Sequence, residues 1–218
     1  PPPPFPTRRR HTRFITVSWA RRCVKRQDLT FGAGMDWGME LTGVSGTVNG
    51  VNATQYDGEG AIVALNSQPS GFTLTDVGRV TGQAGVAGEN NLDITLERIE
   101  LEGAPGIDVD RTSGTFSDIT LRGDGTGIGF ISHHGRSFDG LVVDGLDVSG
   151  YSVGVSLHSD PGEISAPLIL RNARVAVSSA LATEHYPVRL ESTELIGSLD
   201  VAFTTVSSVD GQVGTCLL

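Results

Sequence analysis

The residues best suited to acid–base chemistry lie in the middle of the chain, between positions 108 and 185. Four of the five histidines fall there, and imidazole is the side chain whose charge changes nearest to neutral pH. Two aspartates alternate with apolar residues before the first of these histidines, and an arginine follows. In a groove that binds a sugar, such groups can act as general acid, general base or metal ligand. The candidates for catalysis are Asp108, Asp110, His133, His134 and Arg136, and those for binding are His158 and Asp139.

A repeat of 20-odd residues runs through this region and must position the candidates. In each copy apolar residues alternate with polar ones over three to five positions, as in Ile99-Glu-Leu101 and Ile119-Thr-Leu121. A glycine follows, and then a second alternating run such as Ile107-Asp-Val109. Alternation with a period of two predicts short strands, each with one buried face. The frequent glycines indicate tight turns between these strands.

The regular recurrence of this unit favours a parallel β-helix over an antiparallel sandwich. One unit cannot bury its own apolar face, but copies stacked in register bury a continuous core. The turn glycines Gly82, Gly103, Gly123 and Gly150 are 21, 20 and 27 residues apart. A sandwich explains the alternation equally well. It does not explain why the same order of strand, glycine corner and strand recurs.

From about Leu41 to Gly214 the chain resembles the generic parallel β-helix repeat, through runs such as Ile99-Glu-Leu101-Glu-Gly103 and Ile119-Thr-Leu121-Arg-Gly123. Pectate-lyase-like enzymes, phage tailspikes and bacterial surface proteins share this repeat. The resemblance implies an all-β fold, a right-handed parallel β-helix (solenoid). It implies no single function, because the fold hosts lyases, hydrolases, adhesins and structural rods.

Stacking also predicts which candidate residues are neighbours. Alignment of the copies on Ile107, Ile128 and Val153 predicts one outward column that contains Thr112, His133 and His158, with His185 one residue away from continuing it. Adjacent turns of a parallel stack lie about 4.8 Å apart, so the two histidines are expected to touch. Asp108 and Asp110 are expected on the same outward face, diagonal to His133.

Three interpretations of this cluster stay open. The first is an active site: hydrolases of the β-helix family use paired aspartates with a histidine and a basic residue, which Asp108, Asp110 and His134-Gly135 match only in part. The adjacent Asp-Asp pair and the Arg-x-Lys segment of that family are missing, and for a lyase Arg136 is the one plausible base. The second is a sugar-binding groove, and the third is an exposed strand face that does no chemistry. An enzyme needs walls around the site, for which the insertions at 49–70 and 158–166 are candidates.

A calcium site is a further alternative on the adjoining loop. Asp139-Gly140, Asp144-Gly145 and Asp147 supply oxygen ligands of the kind that calcium prefers. Their spacing fits neither an EF-hand nor the nonapeptide calcium repeat. Asp-Gly is also a plain turn signal, and the sequence favours the turn. No other cofactor is expected.

Charge divides the chain into two regions and limits its partners. Residues 1–40 are rich in proline and arginine, with eight basic and three acidic residues, a net charge of +5. Residues 41–218 hold the other eight basic and 22 acidic residues, a net charge of −14. A region with this much negative charge repels nucleic acid and anionic membranes, and it repels polyanionic sugars unless a divalent cation bridges them. No run approaches the ~20 apolar residues of a membrane span. We expect residues 1–40 to be a cap or foreign to the domain, and 41–218 to form the β-helix.

The sequence therefore predicts a β-helix rod, secreted or displayed on a cell surface, that serves as a structural spacer, an adhesin or a glycan-contacting module. The alternative is a polysaccharide hydrolase or lyase of the pectate-lyase-like superfamily. Polysaccharide is the expected partner. Because both ends of such a rod expose strands, self-stacking, homo-oligomerisation or continuation into a longer chain is also expected.

Overall fold

The computed structural model of the protein describes residues 15–18, 23–30, 38–53, 61–69, 71–78, 85–103, 105–134, 140–162 and 166–209. All regular structure in these residues is β-strand, and no helix there is long and apolar enough to cross a membrane. The strands are β1 (Ile15–Ser18), β2 (Cys23–Thr30), β3 (Met39–Thr42), β4 (Ser45–Asn52), β5 (Val63–Asn66), β6 (Phe72–Val77), β7 (Val86–Glu89), β8 (Ile94–Glu102), β9 (Ile107–Asp110), β10 (Gly114–Arg122), β11 (Ile128–His134), β12 (Leu141–Ser149), β13 (Val153–Ser159), β14 (Leu168–Arg171), β15 (Arg174–Glu184), β16 (Val188–Glu191), β17 (Glu194–Ala202) and β18 (Val206–Val209).

Every strand pairs in parallel with the strand one turn before or after it, which makes the fold a parallel β-solenoid. One ladder, here called face A, runs through β1, β3, β5, β7, β9, β11 and β13 into the second halves of β15 and β17. Faces B and C are the first and second halves of the long strands β4, β6, β8, β10 and β12, with β14, β16 and β18 continuing face B. The parallel β-helix predicted from the repeat is confirmed.

The core is built from like residues stacked on like residues. β8 shows the pattern clearly, because its inward Ile94, Leu96, Ile99 and Leu101 are all buried while the residues between them are not. Register carries the same positions from turn to turn, so Leu96 lies over Leu74 on one side and Phe116 on the other. Each turn thus buries its apolar face against its neighbours, as the repeat requires.

The bend between faces B and C needs a residue with left-handed backbone angles in every turn. Seven residues of one column fill it, with φ between 48° and 76°. Only glycine adopts this region without cost, and asparagine, aspartate and serine tolerate it better than bulky residues do. The sequence meets the requirement mostly with polar residues. The column is Gly50, Asp76, Arg98, Asp118, Gly145, Asn172 and Ser192.

The bend between faces A and B contains a ladder of buried polar side chains, here called the corner ladder: Gln68, Asn91 and Thr112. All three are at most 1% exposed. Asn91 accepts a hydrogen bond at Oδ1 from the Gln68 backbone N–H (3.0 Å), and its Nδ2 donates to the Leu65 carbonyl (2.9 Å) and to Thr112 Oγ1 (3.3 Å). Gln68 in turn accepts from the Val44 N–H (3.0 Å). Because the chain turns here, side-chain amides replace strand–strand partners for buried backbone groups.

Two details of the fold bear on the sequence predictions. β1 and β2 lie within residues 1–40 and pair in register with β3 and β4, so the parallel ladders extend to the N-terminal side of residue 41. Whether residues 1–40 act as a cap stays a prediction. The expected insertion at 49–70 contains a regular rung, because β5 pairs with β3 and β7.

Candidate functional site

The outward side of face A carries the predicted site residues in two parallel columns. Each strand of this face is short, so only two side chains per turn point away from the core. The first column is Glu40, Ala64, Ala87, Asp108, Ile131, Ser156, Ala182 and Asp200. The second column is Thr42, Asn66, Glu89, Asp110, His133, His158, Glu184 and Ala202.

A groove of about 490 Å³ lies over the N-terminal half of this face. Its floor is made by small side chains, because Ala64 and Ala87 occupy the first column where longer residues precede and follow them. Carboxylates and an amide surround this floor. The lining residues are Met39, Glu40, Ala64, Asn66, Ala87, Gly88, Glu89, Asp108 and Asp110.

Hydrogen bonds and ion pairs hold several of the lining groups in place. Asn66 Nδ2 donates to Glu40 Oε1 (3.2 Å) across one turn of the solenoid. Arg111 lies at the corner after β9, and its guanidinium contacts Glu89 Oε1 (2.5 Å) and Asp110 Oδ2 (3.1 Å). Among the described residues one arginine faces four carboxylates, so most of their negative charge is not compensated within that part of the chain. The groove therefore favours ligands that donate hydrogen bonds or carry positive charge.

The two aspartates of β9 have different surroundings. Burial raises the pKa of Asp108 above its ordinary 3.8, the positive charge of His133 opposes the increase, and the charge of Asp110 adds to it. Asp110 is adjacent in register to His133 on the next turn and is bonded by Arg111. The half-buried carboxyl of Asp108, which holds its proton more tightly than usual, thus lies two residues from Asp110, which accepts a hydrogen bond from a guanidinium.

Beyond the groove the second column continues with imidazoles. His133 and His158 are paired in register, and their ring centroids are 6.4 Å apart in an edge-to-face arrangement. His158 Nδ1 lies 3.2 Å from Glu184 Oε2 on the following turn. Asp110, His133, His158 and Glu184 thus form four successive members of one outward column.

Four of the predicted site residues are therefore brought together: Asp108, Asp110, His133 and His158. For His134 the structure gives the backbone position, which pairs with Ser159. Arg136 and Asp139 lie outside the described residues. None of these positions tests a catalytic role, which stays a prediction.

The predicted alignment of the copies was wrong by two residues at one turn. Ile107 pairs with Phe130 and not with Ile128, although Ile128 does pair with Val153. The turn at 123–127 precedes β11 and makes this copy longer. An alignment on the first residue of each strand therefore pairs the wrong residues here. Asp110 is consequently beside His133 and not diagonal to it. Thr112 belongs to the buried corner ladder and not to the outward column.

Sequence reasoning missed the residues that line the groove toward the N-terminus, namely Glu40, Asn66 and Glu89. They carry no motif, and their first-column neighbours Ala64 and Ala87 carry no reactive group. The available signal was the spacing: Asn66, Glu89 and Asp110 follow one another at 23 and 21 residues. A search at that period from Asp110 backwards would have found Glu89 and Asn66.

The aspartates proposed for calcium are engaged with cationic or amide groups where they are described. Asp147 Oδ2 accepts from Arg122 Nη2 (2.6 Å), and Asp144 accepts from Asn172 Nδ2 (2.8 Å). Within the described residues no three His, Cys, Asp or Glu side chains are grouped so that they could hold a metal ion. Asp139 is not among those residues, so calcium binding stays an untested prediction.

Comparison of the chain with protein-family models, with curated proteins and with solved structures found no match in any of the three. The fold and the geometry of face A are therefore the basis for a functional proposal.

Proposed function

We propose that the protein is a rod-shaped glycan-binding module, secreted or displayed on a cell surface, that contacts its ligand along the outward side of face A. The observation that carries the proposal is the groove of about 490 Å³ over the small side chains of β5 and β7. A volume of this size lies in the range of sites that hold small organic ligands. Localisation outside the cell rests on the resemblance to tailspikes and bacterial surface proteins.

The chemistry of the lining suggests which glycans fit. Sugar hydroxyls donate well to carboxylates, and Glu40, Glu89 and Asp110 present such acceptors at the groove. The same charges repel pectate, alginate and other polyanionic sugars. Neutral glycans and amino sugars are the classes that the groove favours. In a rod of this kind, adhesin and spacer roles are compatible with such binding.

The proposal is tested by filling the groove. Ala87→Trp adds a large side chain to its floor, and Ala176→Trp makes the same change on the outward side of face C. Calorimetry against neutral, amino-sugar and acidic polysaccharides should show binding by the unchanged protein and by Ala176→Trp. Ala87→Trp should bind at least about tenfold more weakly, equivalent to ~1.4 kcal/mol. Equal affinities for the two variants, or no binding to any glycan, would reject the proposal.

A second candidate function is hydrolysis of a neutral polysaccharide, as in hydrolases of the pectate-lyase-like superfamily. The proximity of Asp108, whose pKa is raised by burial, to Asp110 supports it, because glycosidases use a pair of carboxyl groups of which the general acid has a raised pKa. A lyase is less well supported, since its acidic substrates would meet an acidic face. Reducing ends that are released by the unchanged protein, and lost in both Asp108→Asn and Asp110→Asn, would favour hydrolysis. Binding without any product would favour the binding module.

A further inference from the structure

A second cavity, of about 450 Å³, lies at the start of face B and shares no lining residue with the groove of face A. Its walls come from the bend between faces A and B and from the first residues of β10 and β12. A cavity of this size lies in the range of sites that hold small organic ligands. The cavity is here called the face B pocket. The residues that line it include Leu92, Asp93, Ser113, Gly114, Thr115 and Val142.

The pocket lies where one turn lacks an apolar side chain that its neighbours have. Gly114 pairs in register with Ile94 in the preceding turn and with Leu141 in the following one, and both are at most 1% exposed. The φ of +135° at Gly114 favours glycine, and a Cβ there would lie 2.0 Å from the Ile94 carbonyl oxygen. A side chain therefore cannot occupy this position unless the backbone moves. The gap is built into the fold.

Two aliphatic side chains form an apolar wall of the pocket. Leu92 is 45% exposed, and among the described residues before β17 it is the only large apolar side chain that is so exposed. Val142 lies on the outward side of face B, in register with Thr115 of the preceding turn. Ligand sites combine such apolar walls with a few polar groups that fix the orientation of the ligand.

The polar groups of the pocket are two hydroxyls and one carboxylate. Ser113 Oγ accepts a hydrogen bond from the Asp93 backbone N–H (2.9 Å), which orients the hydroxyl and leaves its own proton to be donated. Thr115 is exposed, and its hydroxyl has no hydrogen-bond partner among the described residues. Asp93 supplies the one charged side chain of the lining, whereas four carboxylates line the groove of face A. The pocket therefore favours a ligand that is neutral and carries hydroxyl groups.

A column of threonines leads from the pocket along the outward side of face B. Thr115 pairs in register with Thr95, and the column continues through Thr73 to Thr47. Neighbouring strands are about 4.8 Å apart. The column thus presents a hydroxyl and a methyl group at every turn, a surface that suits a neutral chain with both hydroxyls and apolar C–H groups.

We propose that the face B pocket is a second carbohydrate site, which binds one unit of a neutral glycan. The apolar side of the sugar ring packs on Leu92 and Val142, and its hydroxyls bond with Ser113, Thr115 and Asp93. This site is weaker than the groove of face A, because hydrogen bonds to charged groups are stronger than those to hydroxyls. The inference concerns another face of the rod and does not depend on ligand binding at face A.

The test is calorimetry of the full chain with neutral tetrasaccharides of glucose, mannose and N-acetylglucosamine. Ala87→Trp fills the groove of face A and is the background for all variants. In this background at least one of the tetrasaccharides should still bind, at one site per chain. Its affinity should change less than about twofold between about 0.05 M and 0.5 M salt, because salt screens interactions between charges and this ligand has none.

Substitutions at Thr115 locate that site. Added to Ala87→Trp, Thr115→Trp should weaken binding at least about tenfold because it fills the pocket. Thr120→Trp is the matched control, since it makes the same change on the outward side of face C in the same strand, and it should leave the affinity unchanged. Thr115→Val keeps the shape of the side chain and removes the hydroxyl, so it should weaken binding about threefold to tenfold whether or not the tryptophan variant folds.

The outcomes separate this site from the groove of face A. If Ala87→Trp abolished all binding of the neutral tetrasaccharides, the inference would be overturned and the groove would be the carbohydrate site. If Ala87→Trp bound them as well as the unchanged protein, and Thr115→Trp did not, the pocket would be confirmed and the groove rejected. Equal affinities of the Thr115→Trp and Thr120→Trp variants, or an unchanged affinity of Thr115→Val, would also overturn the inference.

Discussion

Replacement of Asn91 by alanine tests whether the corner ladder stabilises the solenoid. The side chain is fully buried and takes part in three hydrogen bonds, to the Gln68 N–H, the Leu65 carbonyl and Thr112 Oγ1. Alanine removes all three and introduces no group that can replace them. The backbone N–H of Gln68 then lies in the interior without the acceptor that it now has.

The expected cost follows from these contacts. A buried donor without its acceptor costs about 1–3 kcal/mol, and each of the two bonds donated by Nδ2 contributes about 0.5–1.5 kcal/mol. We therefore expect Asn91→Ala to lower the free energy of unfolding by about 3 kcal/mol. For a domain of this size the melting temperature should fall by about 6–12 °C. Urea unfolding followed by circular dichroism measures the first quantity, and thermal unfolding measures the second.

Asn66→Ala is the matched control, because it removes the same amide from an outward position. Asn66 donates one partly buried hydrogen bond, to Glu40, so its loss should cost less than about 1 kcal/mol. If the two variants were destabilised equally, within about 0.5 kcal/mol, the stabilising role assigned to the ladder would be refuted. Asn91→Asp sharpens the test, because a buried carboxylate cannot donate to the Leu65 carbonyl and should be at least as costly.

Three other substitutions test the remaining structural arguments. Gly114→Ala should destabilise the fold by more than about 3 kcal/mol, because its Cβ would lie 2.0 Å from the Ile94 carbonyl oxygen. Gly125→Ala is the control: its Cβ would lie in open space, so it should cost only about 1 kcal/mol of backbone strain. Urea unfolding measures both free energies. Ser192→Gly should stabilise by about 0.5–1 kcal/mol, because φ is +48° there, and an unchanged or lower melting temperature would contradict this reasoning. Asp108→Asn should stabilise the protein at neutral pH. Because the pKa of Asp108 is raised, the folded state binds the proton more tightly than the unfolded state, so the stability of the unchanged protein falls as pH rises from the ordinary 3.8 through the folded value. The stability gained with asparagine should therefore vanish below pH 3.8.

Sequence periodicity is sufficient to predict the fold because the solenoid repeats its own local requirements. Inward positions such as Ile99 and Ile119 are apolar in successive turns, and they are partners in the structure. Stacking makes the pattern of one turn a copy of the next. The fold could therefore be predicted without knowledge of a single long-range contact.

Register and the corner ladder could not be predicted in the same way. Turn lengths differ between copies, and the longer turn before β11 makes Phe130, and not the predicted Ile128, the partner of Ile107. Gly88 lies within strand β7, and a Cβ there would be 2.8 Å from Asn91 Nδ2. Its role is to leave room for the buried amide. A polar residue in the core is recognisable only from the backbone groups that it satisfies.

The regular spacing of the strands in face A predicts how affinity depends on the length of the ligand. The groove begins at β3, and the polar column continues through β11 to His158 on β13, which is five steps of the ladder or about 24 Å. The distance between successive sugars of an extended chain is about the distance between neighbouring strands. Each sugar of a ligand that runs along the rod therefore meets a new polar residue. Affinity should therefore rise with chain length up to about five sugars and then level off, as measured by calorimetry on a series of oligosaccharides. His158→Ala should lower the affinity of the longest oligosaccharides and leave that of a disaccharide bound in the groove unchanged. An affinity that is independent of chain length would instead place the ligand parallel to the strands of one turn, where only two side chains point outward.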